Sequence, residues 1–336
     1  MDGPPYFEDL AVGQVEHGAP AVTITDGIAA THQAIVGDRL ALALDATLAR
    51  EVLGAEARLA HPALVWDVAI GQSTLLTGRV IANLFYRGLV LARQPAIGDT
   101  LTTSTEVVAL RQTTPRPGRA ATGLAALRVR TVDQERREVL DFWRCAMLPL
   151  REPGARTGAE DSFERIPAEL DAGALRAGTS AWRLVPFAER VARAGELAAA
   201  APGTRWAVEG GDVVSCAPEL ARLSLNVAAV HHDRHAHRDG RRLVYGGHTI
   251  GIAAAQATRL LPQIATIAGW HSCEHLAPVH EGDKLYSELE LERCEPLASG
   301  GALAHLRSRV LALGEREADR DGGTPVLDWR FVAVVV

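Results

Sequence analysis

The sequence has no cluster of cysteines: Cys145, Cys216, Cys273 and Cys294 lie far apart, and no Cys-x-x-Cys occurs. Neither a disulfide framework nor a zinc site follows from that spacing, and free, mostly buried thiols are expected. No run approaches the roughly 18 apolar residues of a membrane span. The opening residues, Met1-Asp2-Gly3-Pro4-Pro5-Tyr6-Phe7-Glu8, are acidic and carry no apolar signal core. A cytoplasmic protein with no membrane partner is expected. Nor is there a basic excess: a formal charge of -6 and a pI near 6.1 give no electrostatic case for nucleic acid.

What is present reads as a globular chain. At 336 residues, 47% hydrophobic and 23% charged, it is long enough for one large domain or two ordinary ones with substantial cores.

The stretch that organises the chain runs from Ser224 to Gly251. A helix-like Pro218-Glu219-Leu220-Ala221-Arg222-Leu223 ends in a polar turn, and His231 stands five residues beyond the amide of Asn226. Leu243-Val244-Tyr245-Gly246-Gly247-His248 then leads into an alanine-rich run, Gly251 to Leu261, whose pattern predicts a buried helix. A histidine exchanges protons near neutral pH, and the first turn of a helix offers unpaired N–H groups to an oxygen that gains negative charge. The combination predicts an active site.

On these residues the chain resembles the MaoC-like, hot-dog-fold enoyl-CoA hydratases and dehydratases. Ser224, His231 and Asp233 fit the family's hydratase signature; Asn226 stands where its catalytic aspartate is usual, and Ala228-Ala229 replaces Asn-Pro. The phrases His61-Pro62-Ala63-Leu64-Val65-Trp66 with Gly71, Ala82-Asn83-Leu84 with Tyr86, and Leu243 to His248 resemble the tandem hot-dog subgroup that contains mesaconyl-CoA hydratase, or β-methylmalyl-CoA dehydratase. The resemblance implies reversible hydration of a branched, carboxylated 2-enoyl-CoA such as the mesaconyl-CoA/β-methylmalyl-CoA pair. It also implies an intact site in the second domain, a degenerate first domain that shapes the acyl pocket, and no cofactor beyond the coenzyme A of the substrate.

Taken in order, the chain opens with an extended segment to a turn at Gly13, then a helix capped by Thr25 that begins at Asp26 and stops at Gly37. His32 inside it reads as packed or solvated. Asp38 occupies the place of the hydratase aspartate, but five residues on stands Ala43, so this front copy has an acid without its histidine. A helix runs from Ala63 through Trp66 to Leu76, and strands are predicted over Asn83 to Ala92, Thr100 to Leu110, Gly123 to Val132 and Glu138 to Leu150, with a turn at Arg116-Pro117-Gly118. Residues 151–203 read as a connecting segment, helix-prone from Val185 to Ala201. The first pattern then returns: Gly37-Asp38 matches Leu225-Asn226, Gly98-Asp99-Thr100-Leu101 matches Gly282-Asp283-Lys284-Leu285, and Val139-Leu140-Asp141 matches Val326-Leu327-Asp328. The expected architecture is α+β: two tandem hot-dog domains, 1–150 and 204–336, each an antiparallel sheet wrapped around a central helix. The open edges of two such sheets can pair side by side, and a homodimer is a possible further assembly.

Hydrating an enoyl thioester needs a base for water at C3, an acid for C2 and donors for the enolate-like oxygen. His231 is the candidate proton shuttle. Asn226 can orient water but its amide cannot act as a base. Gly246 and Gly247 let a backbone N–H approach the thioester oxygen closely; losing one such donor costs about 3 kcal/mol. Tyr245 and His248 flank the helix start and are candidates to line the acyl pocket, Tyr245 by meeting a substrate carboxylate. Arg241, Arg242 and Lys284 are candidates for the phosphates of coenzyme A. Asp283 reads as a strand-entry turn, and His232 and His235 as surface residues. No metal site is expected in the His231 to His237 cluster, which lacks a well-separated third ligand. Two other readings stay open. The Gly-Gly helix start also resembles tandem hot-dog acyl-CoA thioesterases, although Gln256 and Thr258 are the only polar residues offered by Ile252 to Leu261 before Arg259, and neither is an acid. A non-catalytic acyl-CoA binder, with Asn226 marking lost activity, is the other.

Overall fold

The computed structural model describes residues 3–54, 58–115, 120–170, 172–195, 197–236, 240–298, 300–314 and 322–336; the expected turn at Arg116-Pro117-Gly118 and His237 lie outside them. Chain order is β1 (Val15–Glu16), β2 (Val22–Thr23), α1 (Asp26–Val36), α2 (Ala41–Leu44), α3 (Ala46–Leu53), α4 (Pro62–Gln72), β3 (Ala82–Leu91), β4 (Thr100–Gln112), β5 (Thr122–Val132) and β6 (Glu138–Pro149). Two short helices follow, α5 (Ala172–Ala177) and α6 (Val185–Val191), and then β7 (Arg205–Ala207), β8 (Asp212–Val213), α7 (Ala217–Leu223), α8 (Gly246–Leu260), β9 (Ile264–His275), β10 (Lys284–Pro296), β11 (Ala302–Leu313) and β12 (Thr324–Val335).

Among the described residues all 12 strands belong to one antiparallel sheet with the path β1-β4-β5-β6-β3-β9-β12-β11-β10-β7, β2 pairing with β4 and β8 with β10. The two sets of strands thus join edge to edge through β3 and β9, where Tyr86 pairs with Cys273 and Leu89 with Trp270. Neither inner edge is left open. Each set curves around one long helix, α4 or α8, in the double hot-dog arrangement.

These two helices are buried nearly all round, mostly by apolar side chains. Every residue of α4 is buried, as is α8 from Gly247 to Thr258. Trp66 of α4 reaches across to the other set of strands, its ring 4.8 Å from that of Trp270 and 6.1 Å from that of Trp329. One core therefore spans both halves, and the first-half helix is part of the second half's packing.

The repeated landmarks have repeated geometry. Gly98 and Gly282 both take left-handed backbone, φ 105° and 96°, and the aspartate after each accepts an N–H three residues back: Ala96 to Asp99 and His280 to Asp283, both at 2.8 Å. Asp283 is therefore a turn residue at strand entry. Gly37 and Leu225 are also left-handed, φ 75° and 59°, just before Asp38 and Asn226. Thr25 Oγ1 caps α1 by accepting the Ile28 N–H at 3.2 Å. The helix expected from Val185 to Ala201 is shorter than its alanines imply: α6 ends at Val191 and single 3-10 turns follow, separated by Gly195 at φ 76°.

Where α4 meets the turn after α7, the backbones touch. A Cβ on Gly71 would lie 1.7 Å from the Ser224 carbonyl oxygen, so only glycine fits there. Gly71→Ala forces the turn carrying Asn226 away from α4; overpacking of this kind costs about 3 kcal/mol, and thermal unfolding should show a melting temperature lower by roughly 5 °C or more. An unchanged melting curve would mean the two elements are not in this contact.

Candidate active site

Asn226, His231, Tyr245 and Gly246 line one cavity of about 350 Å³ at the N-terminal end of α8. Its other walls come from the first half of the chain, through Thr74, Asn83, Tyr86 and Arg144, and from the end of β9, through His275.

The loop from α7 to α8 is shaped by its own polar groups. Leu225 turns left-handed, and the Asn226 N–H returns to Ala221 O at 2.9 Å. Asn226 Oδ1 accepts the Ala228 N–H at 2.9 Å, which leaves the donor end of the amide for the cavity. The Asn226 carbonyl accepts from His232 Nε2 at 2.6 Å, so His232, expected at the surface, is half-buried and clamps the turn, whereas His235 is exposed. Thr74 Oγ1, at the end of α4, accepts the Val227 N–H at 3.0 Å. Of the other signature positions, Ser224 is fully buried and its hydroxyl bonds Ala221 O at 3.2 Å, while exposed Asp233 caps the turn at His235.

His231 is buried, with Nδ1 3.0 Å from Leu243 O. A carbonyl only accepts, so Nδ1 carries the proton and the basic lone pair is on Nε2. The ring meets Tyr245 edge-on at 5.9 Å.

Tyr245 precedes the first turn of α8, and its hydroxyl donates to both the carbonyl and Oδ1 of Asp67, at 3.1 and 3.2 Å. The hydroxyl expected on a substrate carboxylate is therefore engaged inside the protein. Asp67 is fully buried in the middle of α4, and its Oδ2 lies 2.9 Å from His32 Nε2. Burial pushes its carboxyl above the usual range, against the lowering effect of the His32 and Tyr245 hydrogen bonds. Burial first, and then the neighbouring Asp67 charge, hold the Tyr245 phenol well above its ordinary value.

The two glycines separate by environment. A Cβ on Gly246 would lie 2.8 Å from His275 Nε2, at the cavity wall; one on Gly247 would lie 2.0 Å from Asp67 Oδ1, beneath it. His248 does not line the cavity, a correction to the sequence reading: as the third residue of α8 it turns into the core, fully buried. Arg241 and Arg242 also stay outside the cavity, because each is drawn into an ion pair, Arg241 with Asp283 at 2.8 Å and Arg242 with Glu281. Lys284 is exposed at the start of β10, away from the cavity lining. Gln256 is likewise remote, bonded to Asp212 at 2.6 Å and to Leu285 O at 2.8 Å. Among the described residues no group of three or more histidine, cysteine or acidic side chains is placed to hold a metal ion, and no helix is long and apolar enough to cross a membrane.

Sequence reasoning missed Asp67, Arg144 and His275. The available signals were a lone carboxylate in an apolar helical run and a lone cation on the buried face of a strand. His275 carried none. Burial lowers its pKa to about 4, so the imidazole is neutral at pH 7 beside Gly246.

No family model matches the chain. It is 53% identical to a conserved hypothetical protein of Mycobacterium tuberculosis whose solved structure has a double hotdog fold, with 99% of each chain covered and a TM-score of 0.91. It is also 27% identical to a MaoC domain protein of Chloroflexus aurantiacus, with 100% of this chain and 98% of that one covered and a TM-score of 0.86. The chain belongs to the MaoC-like double hot-dog family. Among curated proteins it is 29% identical to β-methylmalyl-CoA dehydratase of Chloroflexus aurantiacus, over 93% of this chain and 88% of that one. It is 27% identical to mesaconyl-CoA hydratase of Cereibacter sphaeroides, over 92% and 89%.

His248 and His275 give the fold a pH dependence of definite sign. Burial lowers their pKa values to about 3 and about 4, whereas in the unfolded chain they titrate near 6.5. Between those values the unfolded chain binds protons that the folded chain does not, so their contribution to stability is full above about pH 6.5 and is lost as pH falls. For His248 the loss between pH 7 and 4.5 is about 2 to 3 kcal/mol. His248→Leu should lose less melting temperature than the unsubstituted protein over that interval; parallel pH profiles would contradict the burial of a neutral imidazole there.

Proposed function

We propose that the protein is a hydro-lyase that interconverts a 2-enoyl-CoA and a 3-hydroxyacyl-CoA. The observation that carries this reading is the meeting, in one cavity, of His231, Asn226 and the first turn of α8 at Gly246. The names of the two curated relatives support it and point to the mesaconyl-CoA/β-methylmalyl-CoA pair within that class.

In the hydration direction, His231 Nε2 takes a proton from water as its oxygen bonds to C3. The C2–C3 π electrons move toward the thioester, whose oxygen gains negative charge against the Gly246 N–H. Gly246 is the first residue of α8, where an N–H has no intrahelical acceptor, and the helix dipole adds to the attraction. The imidazolium then returns its proton to C2. Asn226 holds the water from its amide NH₂, its Oδ1 being bound to Ala228. A single titrating side chain thus serves both proton transfers, where the usual signature supplies two. Neutral His275 beside Gly246 keeps that end of the cavity uncharged. The first 150 residues form the acyl wall, and the 204–336 segment carries the reacting groups.

Purified protein should remove the conjugated-thioester absorbance of mesaconyl-CoA. His231→Ala should lower kcat by about 10³-fold, within the range of a lost acid–base group. Gly246→Ala places a methyl against His275 and displaces the donor, with an expected loss of about 100-fold. Release of free coenzyme A without hydration would identify a thioesterase instead, and a panel of short and branched enoyl-CoAs left unchanged would overturn the reading.

A further inference from the structure

Arg144 is out of keeping with its surroundings. On β6 the inward face reads Leu140, Phe142, Arg144, Ala146, Leu148, all buried, and Arg144 is the one charge among them, 2% exposed. The repeat has Phe331 at the matching place on β12, counted from the Val139/Val326 correspondence, and there the ring stacks on Trp329 at 4.1 Å. A buried guanidinium is costly unless an anion compensates it. Even half-buried arginines of the sheet have a carboxylate: Arg128 on β5 bonds Asp141 and Arg330 on β12 bonds Glu292, at 2.5 and 2.8 Å.

Arg144 is instead surrounded by neutral oxygens. Nη1 donates to Ser73 Oγ at 2.7 Å, Nη2 to Thr77 Oγ1 at 3.2 Å and Nε to Asn83 Oδ1 at 3.2 Å. The Ser73 hydroxyl is itself committed to Ile70 O at 2.6 Å, so it meets Arg144 as an acceptor. These bonds fix the plane of the guanidinium without neutralising it, and of its five N–H groups they use three. Arg144 lines the same cavity as His231 and Gly246, and among the described residues no aspartate or glutamate lines that cavity.

We infer that Arg144 is the specificity-determining residue of the site, the receptor for a carboxylate at the end of the acyl chain remote from the thioester. The inference rests on the cavity being an enoyl-CoA site. A carboxylate completes the charge balance that the protein leaves open, and the two remaining N–H groups suit its oxygens. The first half of the chain then selects the acyl group while the second half carries the proton transfer. An unsubstituted acyl chain would leave the buried cation uncompensated, so the same feature rejects ordinary fatty acyl thioesters.

The test uses two thioesters that differ only there: mesaconyl-CoA, and 2-methylbut-2-enoyl-CoA, with a methyl group in place of the carboxylate. The unsubstituted protein should favour mesaconyl-CoA by about 100-fold or more in kcat/KM. In Arg144→Gln, which keeps neutral hydrogen bonds at the site, that ratio should fall at least about 30-fold, and Arg144→Lys should restore part of it. Calorimetric Kd values for the same pair carry the ratio independently of turnover. Discrimination in binding without hydration would sustain Arg144 as a carboxylate receptor and sink the hydratase reading. Equal preference for the two thioesters in the unsubstituted protein would overturn the inference even where neither variant folds, and so would variants that lose both substrates in equal proportion.

Discussion

The site depends on one buried carboxylate. Asp67 lies at the centre of α4, with no exposure, between His32 of α1 and the hydroxyl of Tyr245 at the start of α8. A carboxylate so placed is unfavourable without these partners, and with them it fixes three helices against one another. Tyr245 immediately precedes Gly246 and packs edge-on against His231, so the same contact sets the position of the helix end and of the imidazole. Gly247 has no side chain because Asp67 occupies that space. The first-half helix thereby holds the groups of the second half in register.

The two halves share a framework and have diverged in what it presents. Each has a left-handed residue before the position of the acid, and each has the aspartate turn at strand entry. In the first half, Asp38 is 2.7 Å from Nε2 of His61, whose Nδ1 accepts the Ala63 N–H at the start of α4. Asp38 also accepts the Leu40 N–H at 2.8 Å. The acid that seemed to lack a histidine has one, drawn from the next helix rather than from five residues on, and both groups are occupied with each other. In the second half, Tyr245 stands at the place of His61, Asn226 at that of Asp38, and His231 comes from the intervening loop. The cavity-lining arrangement and the bound-up pair are thus two outcomes of one scaffold.

Most of the fold was legible because its determinants are local. Period-two strands, glycines at left-handed turns, the Thr25 cap and two mostly apolar helices each declare themselves within a dozen residues. Their duplication gave the tandem architecture. His231, Asn226 and Gly246 were legible for the same reason, lying within one stretch. What escaped was long-range: the partners of Asp67 come from His32 and Tyr245, and those of Arg144 from Ser73, Thr77 and Asn83. Arg241 and Arg242 were attractive as phosphate ligands until Asp283 and Glu281 came beside them. His248 carried no mark in the sequence to separate it from Gly246 two residues earlier; only the helix phase turns one to the cavity and the other to the core.

Water and thioester would meet between His231 and the end of α8, with the acyl group reaching toward the first half. A crystal structure with an unreactive enoyl-CoA analogue tests this most directly. It should show C3 within about 3.5 Å of a water or hydroxyl held by His231 Nε2, and the thioester oxygen on the Gly246 N–H. An acyl chain bound elsewhere, or bound here with its thioester turned away from α8, would contradict it.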